Sequence, residues 1–164
     1  MTTAVALDKR IIRELAALVG RDYVLHDPVD LKVFEYDGTI ARAMPQIVVL
    51  PETAEQVSEV VKLARRYGLP VTARGAGTGL SGGAIAETGG LVLSLTRMKR
   101  VLEVDPEECV ALVEPGVVNL DLSRAVARHG LYFAPDPASQ RACTVGGNVA
   151  ENAGGPHCLA YGVT

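Results

Sequence analysis

The chain has 164 residues, 48% of them hydrophobic, and a mean hydropathy of +0.21: enough apolar material for one domain with a core, and too much for a disordered chain. A formal net charge of −3, with five Tyr, two Phe and no Trp, gives neither the basic footprint nor the stacking platforms of a nucleic-acid binder. No apolar run reaches transmembrane length, and Asp8, Lys9 and Arg10 stand where a signal peptide would carry its apolar segment, so a cytoplasmic location is expected.

In chain order, the spacing of Ile11, Ile12, Leu15, Leu18 and Val19 predicts a helix capped by Asp8 and stopped by Gly20. The stretch Phe34-Glu35-Tyr36-Asp37-Gly38-Thr39 carries no clear periodicity. Gln46 to Leu50 reads as a buried strand. Thr53-Ala54-Glu55-Gln56 has the spacing of a capping box and opens a helix through Val57, Val60, Val61, Ala64 and Tyr67, ended by Gly68 and Pro70. Strand, helix and the run Leu69 to Ala73 together predict a βαβ unit. From Leu91 the pattern changes to short strands of antiparallel character: Leu91 to Leu95, Val101 to Val104 and Val110 to Val113, the last two joined at Asp105-Pro106-Glu107-Glu108. A helix over Asn119 to Arg128, a terminal Gly130 and a short strand at Leu131-Tyr132-Phe133 follow.

Two glycine-rich stretches stand out. Seven of the seventeen glycines fall between Gly75 and Gly90, where Arg74-Gly75-Ala76-Gly77-Thr78-Gly79-Leu80-Ser81-Gly82-Gly83 leaves the second βαβ strand. Glycine lets successive N–H groups converge on an anion without a Cβ in the way, and Arg74, Thr78 and Ser81 add donors suited to phosphate. The second stretch runs Gly146-Gly147-Asn148-Val149-Ala150-Glu151-Asn152-Ala153-Gly154-Gly155; in a short helical turn the amides of Asn148 and Asn152 would face one side. Two such stretches suggest an extended ligand such as a dinucleotide. Gly77 to Gly82 fits G-x-G-x-x-G, but three glycines between Gly83 and Gly90 leave no room for the helix a nicotinamide-binding Rossmann unit needs, and no Lys-Ser or Lys-Thr follows as a P-loop requires. Cys109, Cys143 and Cys158 are odd in number without C-x-x-C spacing, which supports neither a disulfide framework nor a zinc or iron–sulfur site.

Taken together, Pro51-Glu52-Thr53 before a helix, the Arg74 to Gly83 loop, Pro135-Asp136-Pro137-Ala138-Ser139 and Thr144 to Gly155 resemble the FAD-binding domain of the vanillyl-alcohol oxidase/p-cresol methylhydroxylase superfamily. Within it the chain is most similar to glycolate oxidase flavoprotein subunits and to D-lactate and D-2-hydroxyglutarate dehydrogenases, and Gly155-Pro156-His157-Cys158-Leu159-Ala160-Tyr161-Gly162 sharpens the likeness to the former. The resemblance implies an α+β fold, an FAD-binding domain of two α+β subdomains (a βαβ unit plus an antiparallel sheet with flanking helices), truncated at its C-terminus. It places a helical segment at 1–44 and the incomplete FAD-binding domain at 45–164, without the cap domain. It further implies that Arg74, Gly75, Ala76, Gly77, Thr78, Gly79, Leu80 and Gly82 bind the FAD pyrophosphate, and that Pro135, Cys143, Thr144, Gly146, Gly147, Asn148, Asn152, Gly154 and Gly155 line the flavin and its phosphates. Threonine at position 78, where relatives with covalent flavin carry histidine, implies non-covalent FAD. The implied chemistry is oxidation of a 2-hydroxy acid such as glycolate or D-lactate, with an iron–sulfur subunit as electron partner and no catalytic residue in this chain. A non-catalytic flavin-binding electron-relay module and an inactive fragment are the alternatives.

Overall fold

The structure, a computed structural model, describes residues 7–164. It divides into two compact units, Met1–Arg97 and Met98–Thr164.

In the first unit, helix α1 (Lys9–Val19) starts where the Asp8 carboxylate accepts the Arg10 N–H at 3.0 Å and ends at Gly20. Strand β1 (Val24–Leu25), the short helix α2 (Pro28–Leu31) and strand β2 (Ile47–Val49) lead into helix α3 (Ala54–Arg66). Thr53 caps α3 by accepting the Gln56 N–H at 3.2 Å. The capping box is only half formed: Gln56 Oε1 accepts from the Glu52 N–H at 2.7 Å, one residue before the cap, while its Nε2 donates to the Leu18 carbonyl at 3.1 Å and ties α3 to the end of α1. Strands β3 (Val71–Arg74) and β4 (Leu91–Ser94) complete a four-stranded sheet in the order β1-β2-β4-β3, with β2, β4 and β3 parallel and β1 antiparallel to β2.

Strand periodicity sorts the core into two faces. Ile47, Val49, Leu91 and Leu93 pack with Ile11, Leu15 and Val19 of α1 and Val60, Leu63 and Ala64 of α3. Val48 and Val92 point the other way and pack with Leu31 and Ala86.

The expected βαβ unit forms: its two strands are parallel and joined by α3, with β4 paired between them. Leu91 to Leu95 accordingly belongs to the parallel sheet, not to the antiparallel part. The physical reason lies in the run Leu91-Val92-Leu93-Ser94, every residue of which is buried: a strand covered on both faces reads as continuously apolar and suits the middle of a parallel sheet.

In the second unit, β5 (Val101–Asp105) and β6 (Val110–Val113) form the expected antiparallel hairpin, with Val104 opposite Ala111 and Asp105 opposite Val110. Asp105 Oδ1 accepts the N–H groups of Glu107 and Glu108 at 3.0 and 3.1 Å and shapes the turn. Beyond β6, the buried Glu114 carboxylate accepts from Arg100 Nε, Nη2 and backbone N–H at 3.0, 2.7 and 2.7 Å, and these bonds hold its pKa below the ordinary carboxylate value. Helix α4 (Asn119–Val126) continues as one tighter turn to Gly130, which takes φ +72°. Leu131 to Phe133 does not form the expected strand: no strand among the described residues pairs with it, and the Phe133 N–H donates instead to Ser123 Oγ at 3.1 Å. Helices α5 (Val145–Glu151) and α6 (Cys158–Tyr161) follow. Val117, Leu122 and Val126 form this unit's core, flanked by Val101, Val104, Ala111 and Val113.

Candidate functional site

The first glycine-rich loop leaves the carboxyl end of β3 at Arg74 and re-enters the sheet at Leu91, with no helix in between. That removes the element a Rossmann unit would aim at a pyrophosphate. Backbone donors are available all the same: no N–H from Gly75 to Ala84 donates to a protein acceptor among the described residues. Thr78 and Ser81 hydroxyls also lack partners there. Gly77 and Gly82 take φ +70° and +80°, which only glycine adopts at low cost.

Arg74 faces inward, unlike Thr78 and Ser81. It is 7% exposed; its guanidinium donates to the carbonyls of Val33 and Ala84 at 3.4 Å each and lies 5.6 Å from the Phe34 ring centroid. A Cβ on Gly77 would fall 2.5 Å from Arg74 Cζ, so the guanidinium is lodged directly beneath that glycine. Burial lowers the Arg74 pKa from its usual value, while the charge of Asp37 and the nearby Tyr36 raise it. The residue is thus a buried cation supporting the loop from below.

Sequence reasoning left the stretch around Asp37 unassigned, yet it forms the loop's neighbour. The Gly38 N–H donates to the Gly79 carbonyl at 3.0 Å, and Asp37 Oδ1 accepts the Thr39 N–H and hydroxyl at 2.8 and 2.6 Å. The signal was Asp-Gly-Thr, a composition that makes a side-chain-stabilised turn without revealing what the turn touches.

The second stretch lies in the second unit and is differently built. Thr144 caps α5, its Oγ1 accepting the Gly147 N–H at 3.2 Å. The Gly146 N–H donates to the Pro115 carbonyl at 2.8 Å, and a Cβ there would stand 2.7 Å from Pro115 Cβ, so the two chain segments meet at Gly146 too closely for a side chain. With Val145 N–H on Val117 and Asn148 N–H on Thr144, the N–H groups of residues 145–148 all serve the fold. Asn119 joins two of the expected site residues, its N–H donating to the Cys143 carbonyl at 3.0 Å and its Nδ2 to the Pro135 carbonyl at 2.9 Å. Asn119 Oδ1 and Asn148 Nδ2 are buried without partners. The two asparagines of the motif do not act alike: Asn148 is 2% exposed, whereas Asn152 is an exposed, left-handed C-cap at φ +51°. Helix periodicity ends before Asn152, which is why the shared face expected for them does not form. Gly155 packs against Asp136, whose Oδ1 accepts the His157 N–H at 3.0 Å; Gly154 lies against Cys158 and Val163.

Among the described residues no helix is long and apolar enough to cross a membrane. A family model described as FAD binding domain matches residues 45–164. The chain is 51% identical over 142 residues to glycolate oxidase subunit GlcD of Escherichia coli (strain K12), covering 86% of this chain and 28% of that protein. It is 44% identical over 123 residues to a D-lactate dehydrogenase of Anaerostipes hadrus, covering 75% and 26%. Among solved structures, p-cresol methylhydroxylase with substrate bound superposes with a TM-score of 0.78 at 26% identity, over 88% of this chain and 29% of that one. The chain therefore spans little more than a quarter of the length of these relatives.

Proposed function

We propose, because the chain belongs to the FAD binding domain family, that it is the flavin-holding part of an oxidoreductase acting on a 2-hydroxy acid of the glycolate or D-lactate type. The observation that carries the reading is the run of unengaged N–H groups from Gly75 to Ala84, glycine-rich and lying over a buried arginine, which fits a diphosphate. When bound, FAD supplies the redox chemistry by accepting the two electrons released at the substrate Cα–H.

The chain's own residues bind and orient. Gly75, Ala76, Gly77, Thr78, Gly79, Leu80 and Gly82 offer N–H groups to the pyrophosphate, and Arg74 holds their loop in place from beneath. Threonine at position 78 cannot form a histidyl link, so FAD is held non-covalently. In the second unit, Pro135, Cys143, Thr144, Gly146, Gly147, Asn148, Asn152, Gly154 and Gly155 are assigned to FAD contact; with the N–H groups of Gly146 and Gly147 committed to the fold, that contact runs through close backbone approach and through the amide of Asn148. Residues 45–164 constitute the matched FAD-binding region; the expected separation of 1–44 as a helical segment gives way to a shared unit, since α1 packs on β2 and β1 pairs with it. An iron–sulfur electron-transfer partner and a cytoplasmic location complete the reading.

Its test is the visible spectrum of the purified chain after addition of FAD and gel filtration, before and after acid precipitation. Flavin absorbance that co-elutes and is released by acid is expected. A folded chain that elutes colourless and gives no heat of FAD binding refutes the assignment.

A further inference from the structure

We infer that the Asp37–Gly38–Thr39 turn is a positioning element for the diphosphate loop, one that aims the loop's backbone donors by holding the opposite end of their peptide groups. The inference rests on the reading of residues 75–82 as an FAD-binding loop.

Gly38 is where the turn meets the loop. Its φ lies outside the left-handed region, so conformation does not demand glycine there. Contact does: a Cβ would stand 2.7 Å from the Gly79 carbonyl oxygen, 2.9 Å from Leu80 Cδ2 and 3.0 Å from the Thr78 carbonyl oxygen. The turn backbone is therefore seated on the loop backbone, and the Gly38 N–H fixes the Gly79 carbonyl at 3.0 Å. In a trans peptide the C=O and the following N–H point in opposite directions. Anchoring Gly79 O to Gly38 turns the Leu80 N–H away from the turn, leaving it unengaged and presented.

The turn is itself stiffened. Asp37 is 7% exposed; its Oδ1 accepts both Thr39 donors, and Thr39 Oγ1 in turn accepts the Ala41 N–H at 3.1 Å. Its Oδ2 is buried without a hydrogen-bond partner. Ile40, at the tip, is fully exposed, so apolar burial is not what seats the turn. Arg74 beneath Gly77 and Gly38 against Gly79 thus hold the same short loop at two neighbouring points.

The experiment titrates the 164-residue chain with FAD and with ADP, following flavin fluorescence and binding heat, in Gly38→Ala, Thr39→Val and Thr39→Ser, each checked by circular dichroism for its fold. Gly38→Ala pushes directly on the loop carbonyls; Thr39→Val removes the bracing hydroxyl without added bulk and keeps the question decidable if Gly38→Ala fails to fold. Misaiming one charge-assisted donor is expected to weaken FAD and ADP by about tenfold or more. Thr39→Ser, which restores the hydroxyl, is expected to recover the affinity. Folded variants that bind FAD and ADP as tightly as the parent overturn the inference and leave the FAD reading standing; a parent chain that binds neither ligand overturns both.

Discussion

Gly77→Ala tests the seat of the loop through two separate costs, one of backbone and one of contact with Arg74. At φ +70° an L-residue costs about 1–2 kcal/mol. The new methyl carbon would also fall 2.5 Å from Arg74 Cζ, so the guanidinium has to retreat by about 1 Å to reach ordinary contact near 3.4 Å. Retreat breaks the long bonds to Val33 and Ala84 and the stacking on Phe34, together about 1–2 kcal/mol for a largely buried cation. The total of about 2–4 kcal/mol corresponds to a fall in melting temperature of about 5–15 °C for a chain of this length. Thermal unfolding followed by far-ultraviolet circular dichroism measures it, with Gly68→Ala as the reference: Gly68 has φ +65° but nothing within 4 Å of its Cβ position, so it reports the backbone cost alone. If Gly77→Ala melts no lower than Gly68→Ala, Arg74 is not lodged under the loop and the account of its seat is wrong.

Leu91→Ala empties a fully buried position in β4, and a loss of about 2–5 kcal/mol is expected in the denaturant midpoint. Thr53→Ala removes the cap of α3 and should cost about 1 kcal/mol in the same assay. Glu114 has a folded pKa lowered by its hydrogen bonds to Arg100, so its contribution is present above the ordinary carboxylate range and lost as pH falls through the lowered value. Glu114→Gln should therefore melt below the parent at neutral pH, with the gap closing below about pH 4; a gap that does not change with pH contradicts the assignment.

Local chemistry made much of the fold legible. Asp8 and Thr53 cap the helices their sequence positions announce, Gly130 ends α4, and the hairpin turns at Asp105, because each rests on interactions within a few residues. The position of β4 was not legible, since a run of four buried residues says that a strand is covered on both faces but not which strands flank it. At the candidate site the glycines announced the loop, whereas the inward turn of Arg74 and the seat of Gly38 on Gly79 depend on contacts across 41 and 41 residues of chain, from Val33 to Arg74 and from Gly38 to Gly79. Asn119 was equally silent in sequence, an asparagine at a helix start whose partners, Pro135 and Cys143, come from later segments.

The stretch from Gly75 to Gly90 is also the connection between two adjacent parallel strands, a task more often given to a helix. To start β4 beside Val71 the chain must travel back along the sheet, and on the way it buries Ile85 and Ala86, the latter against Val48 and Val92. Closing the sheet thus fixes both ends of the loop. On the proposed FAD reading, the part of the loop's conformational entropy lost in that closure is lost when the polypeptide folds and not when a nucleotide arrives, so less of the binding free energy goes into ordering. The same linkage runs backwards: a ligand gripping this loop restrains the crossover, and through it the pairing of the central strand, so occupancy should slow the unfolding of the whole unit and not just of the loop.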